Sequence, residues 1–311
     1  MSVQTVPSPS LEIRTDGPIL AVIPAYNEDR FVASVVLKAR HFVDAVIVVD
    51  DGSTDETALL AQEAGATVIR QPSNSGKAAA LNAGLTVARE RDARAVVLLD
   101  GDGQHRPADI PALLRPILDG QADMVIGSRF IGAASNTPPW RIAGQRALTA
   151  ATNFASGVAL SDSQTGFRAL SRKAVASLHF RTSGFSVESE MQFLIKRHDL
   201  AVCEVAIAVN YDEGPKRNPV AHGLQVLNGI LRMIGQNRPL FFFGVPGTLI
   251  ITVGLILGFV VVDNYNRYSA TQGSGALAVG TALVSVTLIL VGVFTVFTGI
   301  ILHTIRAYMT G

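Results

Sequence analysis

Residues 96–105 read VVLLDGDGQH: four apolar residues that read as a buried strand run straight into Asp100 and Asp102, each followed by a glycine, with Gln104 just beyond. Two carboxylates this close at the mouth of a core repel, and one of them tends to hold a proton unless a cation lies between them. Carboxylate and amide oxygens are hard ligands, so Asp100, Asp102 and Gln104 suit Mg²⁺ or Mn²⁺, while Gly101 and Gly103 let the backbone turn sharply enough to converge them. Two other strand-like runs end in the same way, one before Tyr26-Asn27-Glu28 and one at Asp50-Asp51. Any one of these acids alone could cap a helix; together they outline an acidic, oxygen-rich pocket. The usual phosphate cradles are missing, because Gly76-Lys77 is followed by Ala78 and lacks the upstream glycine of a P-loop, and no G-x-G-x-x-G follows a strand. Acids facing a phosphate then need a cation between them, and a divalent ion that bridges to a diphosphate meets that need.

Strands and helices in alternation are needed to hold these residues. Apolar, β-branched runs at 19–23, 45–49, 66–70, 95–99 and 124–127 read as strands, and amphipathic stretches at 31–40, 56–64 and 110–118, with another after QPSNSGK, read as helices. Ser53, Thr54 and Asp55 are the candidates to cap the helix at 56–64, and Gly65 is placed to close it. The pattern predicts an open, mostly parallel α/β sheet covered by helices, with ligands collecting at the carboxyl ends of its strands.

Composition points to a second region. Of 311 residues 48% are hydrophobic and only 16% charged, and the excess is concentrated in two uncharged runs, 240–262 and 276–302, joined by the polar DNYNRYSATQGSG. Each run exceeds the roughly 20 helical residues that cross about 30 Å of hydrocarbon, which favours a transmembrane hairpin over two helices of a soluble core. Lys216, Arg217, Arg232 and Arg238 before the first run and Arg306 after the second place both ends, and with them the large N-terminal domain, in the cytoplasm. Between domain and hairpin, Val220, Leu224, Leu227, Leu231 and Ile234 recur at helical spacing, so 219–238 is expected to be an amphipathic helix lying in the interface, or else an ordinary helix packed on the sheet. The expected organisation is a flexible segment over 1–18, a cytosolic domain over 19–218, the interfacial helix over 219–238 and the hairpin over 239–311. A net charge of +1 gives no reason to propose nucleic acid, and the lone Cys203, in a strand-like run, is expected to be a buried structural thiol.

Six blocks occur in order: IPAYNE, VVDDGSTDET, NSGKAAALNAG, DGDGQHRP, GSR and SQTGFRALSR. Together they resemble family 2 glycosyltransferases of GT-A fold, above all the polyprenyl-phosphate and dolichyl-phosphate sugar synthases that carry a two-helix membrane tail. The resemblance implies that Pro24, Ala25, Tyr26 and Glu28 hold the base and ribose of a nucleotide, with Asp51 completing the base pocket and Lys77 nearby. It further implies that Asp100 reaches ribose or metal, and that Asp102 with Gln104 belongs to the metal set. Arg129, Arg141 and Lys216 match basic positions that face the phosphate of a lipid acceptor. Relatives often read G-x-S-K where this chain has Gly214-Pro215-Lys216-Arg217, which leaves Lys216 and Arg217 as alternatives. His105 is read as packing beside the site rather than as a ligand or base. Glu188 and Glu190, two apart and so on different helix faces, are both candidates to reach the sugar.

The implied reaction is inverting transfer of a sugar from a nucleotide sugar to a polyprenyl phosphate at the cytoplasmic membrane face, with a nucleoside diphosphate released. A UDP-glucose-like or a GDP-mannose-like donor would serve, and the DGDGQH form favours UDP. Similar enzymes also assemble as homo-oligomers through their membrane helices. Two alternatives remain: a processive polysaccharide synthase, whose Q-x-x-R-W motif and extra spans this chain lacks, and a non-catalytic, membrane-anchored nucleotide-sugar-binding protein.

Overall fold

The computed structural model describes residues 17–132, 139–180, 187–209, 228, 231, 234–235, 238–272 and 279–310, and the chain divides into two compact units, Met1–Leu227 and Asn228–Gly311. Lys216 and Arg217, most of 219–238, residues 1–16 and the side chain of Arg141 lie outside what is described.

In the first unit β1 (Ile19–Ala25), β2 (Ala45–Asp50), β3 (Thr67–Arg70), β4 (Ala95–Leu98), β5 (Met124–Ser128), β6 (Arg168–Ser171) and β7 (Val202–Ala206) form a sheet in the order β3-β2-β1-β4-β6-β5-β7. Neighbours pair in parallel except at β6, which is antiparallel to both β4 and β5. Because β6 reverses twice, β1, β2, β4 and β5 all point the same way, and their carboxyl ends share one edge. The expected mostly parallel sheet is present, but the sequence reading assigned no strand to SQTGFRALSR. Its four-residue strand begins with an arginine, which breaks the apolar run by which a buried strand is recognised.

Strand side chains alternate between two cores. On one face Leu20, Val22, Val96 and Leu98 meet Leu81 and Leu85 of α3 (Lys77–Glu90) and Met191 and Leu194 of α7 (Val187–Arg197). On the other, Ala21, Ile23, Val46 and Val48 meet α1 (Val32–Ala39) and α4 (Ile110–Leu118). These two helices bury residues at intervals of three and four, Val32, Val35, Val36 and Ala39 in α1 and Ile110, Leu113, Leu114 and Ile117 in α4, as an amphipathic stripe requires. At α2 (Thr57–Glu63) the N-cap position falls to Glu56, whose side chain makes no capping bond, rather than to Ser53, Thr54 or Asp55; Asp55, one residue earlier, accepts the Thr57 N–H at 3.0 Å, and Gly65, at φ +88°, follows the far end. α5 (Pro139–Ser156) and α6 (Arg172–Ser177) flank β6 in sequence. Cys203, on the edge strand β7, is half-buried rather than buried, and burial pushes its thiol pKa up.

The second unit contains α8 (Pro239–Gln272) and α9 (Val279–Thr310), whose apolar stretches Pro239–Arg267 and Val279–Arg306 are long enough to cross a membrane. The helix does not stop at Val262 as expected. It runs on through the polar DNYNRYSATQ, where an Asp263–Arg267 ion pair of 2.8 Å, one helical turn apart, supports the continuation. Small residues set the seam between the two helices: a Cβ on Gly247 would lie 2.8 Å from the Gly292 carbonyl, and Ser285 Oγ donates to the Gly254 carbonyl at 2.7 Å. Away from the seam Leu249, Phe259 and Phe294 are more than half exposed.

Candidate active site

At the ends of β1 and β2 the loops are clasped by their own hydroxyls and amides. Asn27, at φ +55°, donates its backbone N–H to Ser53 Oγ (2.9 Å) and accepts the Thr54 N–H at Oδ1 (2.9 Å), while the Glu28 N–H donates to Thr57 Oγ1 (2.8 Å). This fixes the loop that follows Pro24 and Ala25 and leaves Tyr26 exposed above the strand end. Asp51 is buried, and both its oxygens accept backbone amides, from Ser75 and Gly76, each at 2.8 Å. Gly52 permits this approach: at φ +73° a Cβ would lie 2.7 Å from the Ser73 backbone. The acidic end of β2 is thus tied to the turn that launches α3.

That turn delivers Lys77. Its ammonium lies 2.5 Å from Asp100 Oδ1, at the end of β4, and 2.8 Å from Glu188 Oε1, in the first turn of α7. Burial opposes charging all three groups, but the mutual attraction prevails: Lys77 is held above its ordinary pKa, and Asp100 and Glu188 are held below theirs. Of the two glutamates left open by the sequence, Glu188 is the one placed against Asp100 and Lys77. Gly166 lies directly over the pair, where a Cβ would be 2.6 Å from Asp100 Oδ2 and 2.9 Å from Lys77 Nζ.

Asp102 has less support. Its Oδ1 accepts the Gln104 N–H at 3.0 Å, and burial, together with the charges of Asp100 and Glu28, pushes its pKa up to about 6. His105 is buried, packs at a tilt against Phe167 with ring centroids 5.2 Å apart, and has Nε2 3.9 Å from Asp100 Oδ2; burial lowers its pKa to about 4, so the imidazole is neutral at pH 7.

Arg129 follows β5 on the same edge. Its Nε and Nη2 donate to Asp162 at 2.6 and 2.7 Å, and its backbone N–H donates to the same carboxylate at 3.2 Å. Glu204 on β7 in turn accepts the N–H groups of Ser161 and Asp162. Arg168 is wholly buried and donates to the carbonyls of Thr165, Ser163 and Glu188, stitching the turn that bears Gly166 to the start of α7. Sequence reasoning named neither Asp162, Gly166, Arg168 nor Glu204 as a site residue. The signal was a polar block, SDSQTGFR, that breaks a pattern of strands and helices without being a loop of ordinary turn residues.

Among the described residues no three His, Cys, Asp or Glu side chains form a cluster able to hold a metal alone. The donor set fits a different kind of site. Asp102, with its pKa raised by burial and by the charge of Asp100, is a carboxylate short of positive charge, and a hard ion held by one or two carboxylates takes its remaining ligands from phosphate and water.

Residues 20–178 match the model of glycosyl transferase family 2. A UDP-N-acetylglucosamine–dolichyl-phosphate N-acetylglucosaminyltransferase of Methanococcus voltae is 32% identical over 236 residues, 69% of this chain and 92% of the relative. The polyprenol monophosphomannose synthase of Mycolicibacterium smegmatis is 29% identical over 208 residues, 63% of this chain and 78% of the relative. Among solved structures, glucosyl-3-phosphoglycerate synthase from Mycobacterium tuberculosis, in complex with Mn²⁺, UDP-glucose and phosphoglyceric acid, superposes with a TM-score of 0.53 at 27% identity, covering 70% of this chain and 80% of that one. By family match and by fold, this chain belongs to glycosyl transferase family 2.

Proposed function

We propose that the protein transfers a hexose from a nucleotide sugar to a polyprenyl phosphate at the cytoplasmic face of a membrane, inverting the anomeric centre and releasing a nucleoside diphosphate. The observation that carries this reading is the cluster at the end of β4, with Asp102 beside the Lys77–Asp100–Glu188 network, in a chain whose second unit is two long apolar helices. Relatives named for dolichyl- and polyprenyl-phosphate transfer support the choice of acceptor.

In this mechanism Pro24, Ala25, Tyr26 and Glu28 line the nucleoside site, and Asp51 shapes it through the loop before α3. Asp102, with Asp100 and Gln104, would hold Mg²⁺ or Mn²⁺, which when bound neutralises the charge of the departing diphosphate. Lys77 is poised to share that charge. The acceptor needs no side-chain base, because a phosphate monoester with a second pKa of about 6 is mostly dianionic at neutral pH. What it needs is placement against the anomeric carbon and screening from the donor's charge, which we assign to Arg129, Arg141 and Lys216. The apolar helices would anchor the chain in the membrane that carries the lipid acceptor.

The test is to incubate the purified full-length protein with Mn²⁺, polyprenyl phosphate and a panel of radiolabelled nucleotide sugars. Label should enter the organic extract from a UDP-sugar; label retained in water with every donor tried would refute the reading.

A further inference from the structure

Lys77 is fixed at its backbone and divided at its tip. It opens α3 directly after Ser75 and Gly76, whose N–H groups are both held by Asp51, and Gly76, at φ +91°, turns the chain into the helix. Its ammonium has three hydrogens to give, and its partners among the described residues are Asp100 Oδ1 at 2.5 Å and Glu188 Oε1 at 2.8 Å. The two carboxylates come from different elements, the end of β4 and the first turn of α7, and Glu188 is the more buried. Gly166 confines the pair, since a Cβ there would lie 2.6 Å from Asp100 Oδ2.

The Lys77 ammonium already supplies the countercharge of Asp100, so a hydrated divalent ion arriving alone finds only Asp102 undisputed. Hard ions give up water reluctantly to a single carboxylate. An ion that arrives with a nucleoside diphosphate brings phosphate oxygens as further ligands, and the same diphosphate offers the ammonium another anion to turn to. A lysine suits this exchange. Its charge is compact and its four-carbon stem pivots, and Glu188 keeps the ammonium within reach while Asp100 is given up.

We propose that Lys77 is an internal cation that keeps Asp100 closed to a free divalent ion and yields it when a nucleoside diphosphate binds, with Glu188 retaining the ammonium meanwhile. The assignment rests on the reading of the β4 acids as the metal set, but not on the lipid acceptor. By linkage, nucleotide and metal raise each other's affinity by one common factor, and Lys77 sets part of that factor.

The experiment reads Mn²⁺ uptake by the full-length protein in detergent, with and without UDP, by electron paramagnetic resonance, the Mn²⁺ that UDP binds by itself being subtracted. Lys77→Gln should bind Mn²⁺ about tenfold more tightly than wild type without UDP and about threefold less tightly with it, because the ammonium that blocked Asp100 is also the one that meets the diphosphate. A loosened fold or a general change of field would move both values the same way. Glu188→Gln should weaken uptake with UDP in the wild-type background and leave it unchanged in the Lys77→Gln background, since Glu188 acts through the ammonium. Equal affinity of the wild type for Mn²⁺ with and without UDP would overturn the proposal without recourse to any variant. So would a gain for Lys77→Gln in both states, or in neither, and the transfer reading would then stand. If Lys77→Gln shows the reversal but no donor delivers label to the organic extract, the role of Lys77 is upheld and the transfer reading falls.

Discussion

Two strands of the sheet end in a pair of aspartates, and the pairs have opposite fates. Asp50 and Asp51, after β2, are consumed by the protein's own frame: Asp50 accepts the Ser53 N–H and lies 3.3 Å from Arg70, and Asp51 spans the Ser75 and Gly76 amides with its two oxygens. Asp100 and Asp102, after β4, are held by one side-chain cation and a single amide. Lys77 neutralises Asp100, whereas burial and then the charge of Asp100 push the pKa of Asp102 up to about 6. An acid saturated by backbone N–H groups builds the fold; an acid short of partners is poised for a ligand. The sequence motif is nearly the same in both places, and only the partners tell them apart.

The largest stability effect should come from Asp51, whose two oxygens are both taken up by backbone amides. Asp51→Ala removes two charge-assisted bonds to the turn before α3 and should cost about 2 to 3 kcal/mol in a denaturant melt, with activity lost through displacement of Lys77. A melt unchanged within error would erase the distinction between the two pairs. Asp102→Asn should do the reverse on a smaller scale. Because the folded pKa of Asp102 lies above its unfolded value near 3.8, the folded state binds the extra proton between about pH 4 and pH 6, and stability falls as pH rises through that window. The asparagine variant escapes this penalty, so it should gain on the order of 1 kcal/mol at pH 7 and nothing below about pH 4, while transfer is lost. Melting curves recorded at both pH values would check the sign.

Much of the sheet was legible because its parallel strands are apolar runs of β-branched residues ending in punctuation, and α1 and α4 because their stripes repeat at helical spacing. The DGDG turn was legible because two carboxylates close together at the end of a buried run call for a partner, although the same reading did not separate it from Asp50-Asp51, whose partners are backbone amides. β6 was not, because the buried Arg168 hides a strand from any reading of hydropathy. Nor were the partners: nothing local to Glu188 announces Lys77, 111 residues away, and nothing near Arg129 announces Asp162 or the Phe130 ring it shares with Arg146. Such contacts are made by topology, chiefly by the antiparallel strand that folds SDSQTGFR back over the β4 end. The polar stretch after Val262 misled in the other direction, since an i,i+4 ion pair let the helix continue where composition suggested a loop.

The most direct measurement is electron paramagnetic resonance of Mn²⁺ titrated with full-length protein and UDP, comparing wild type with Asp102→Ala. The free-ion signal should fall when wild type and UDP are both present and persist with the variant, whose circular dichroism should match that of the wild type. Equal uptake of Mn²⁺ by the two proteins would mean that the β4 aspartates are not the seat of the ion.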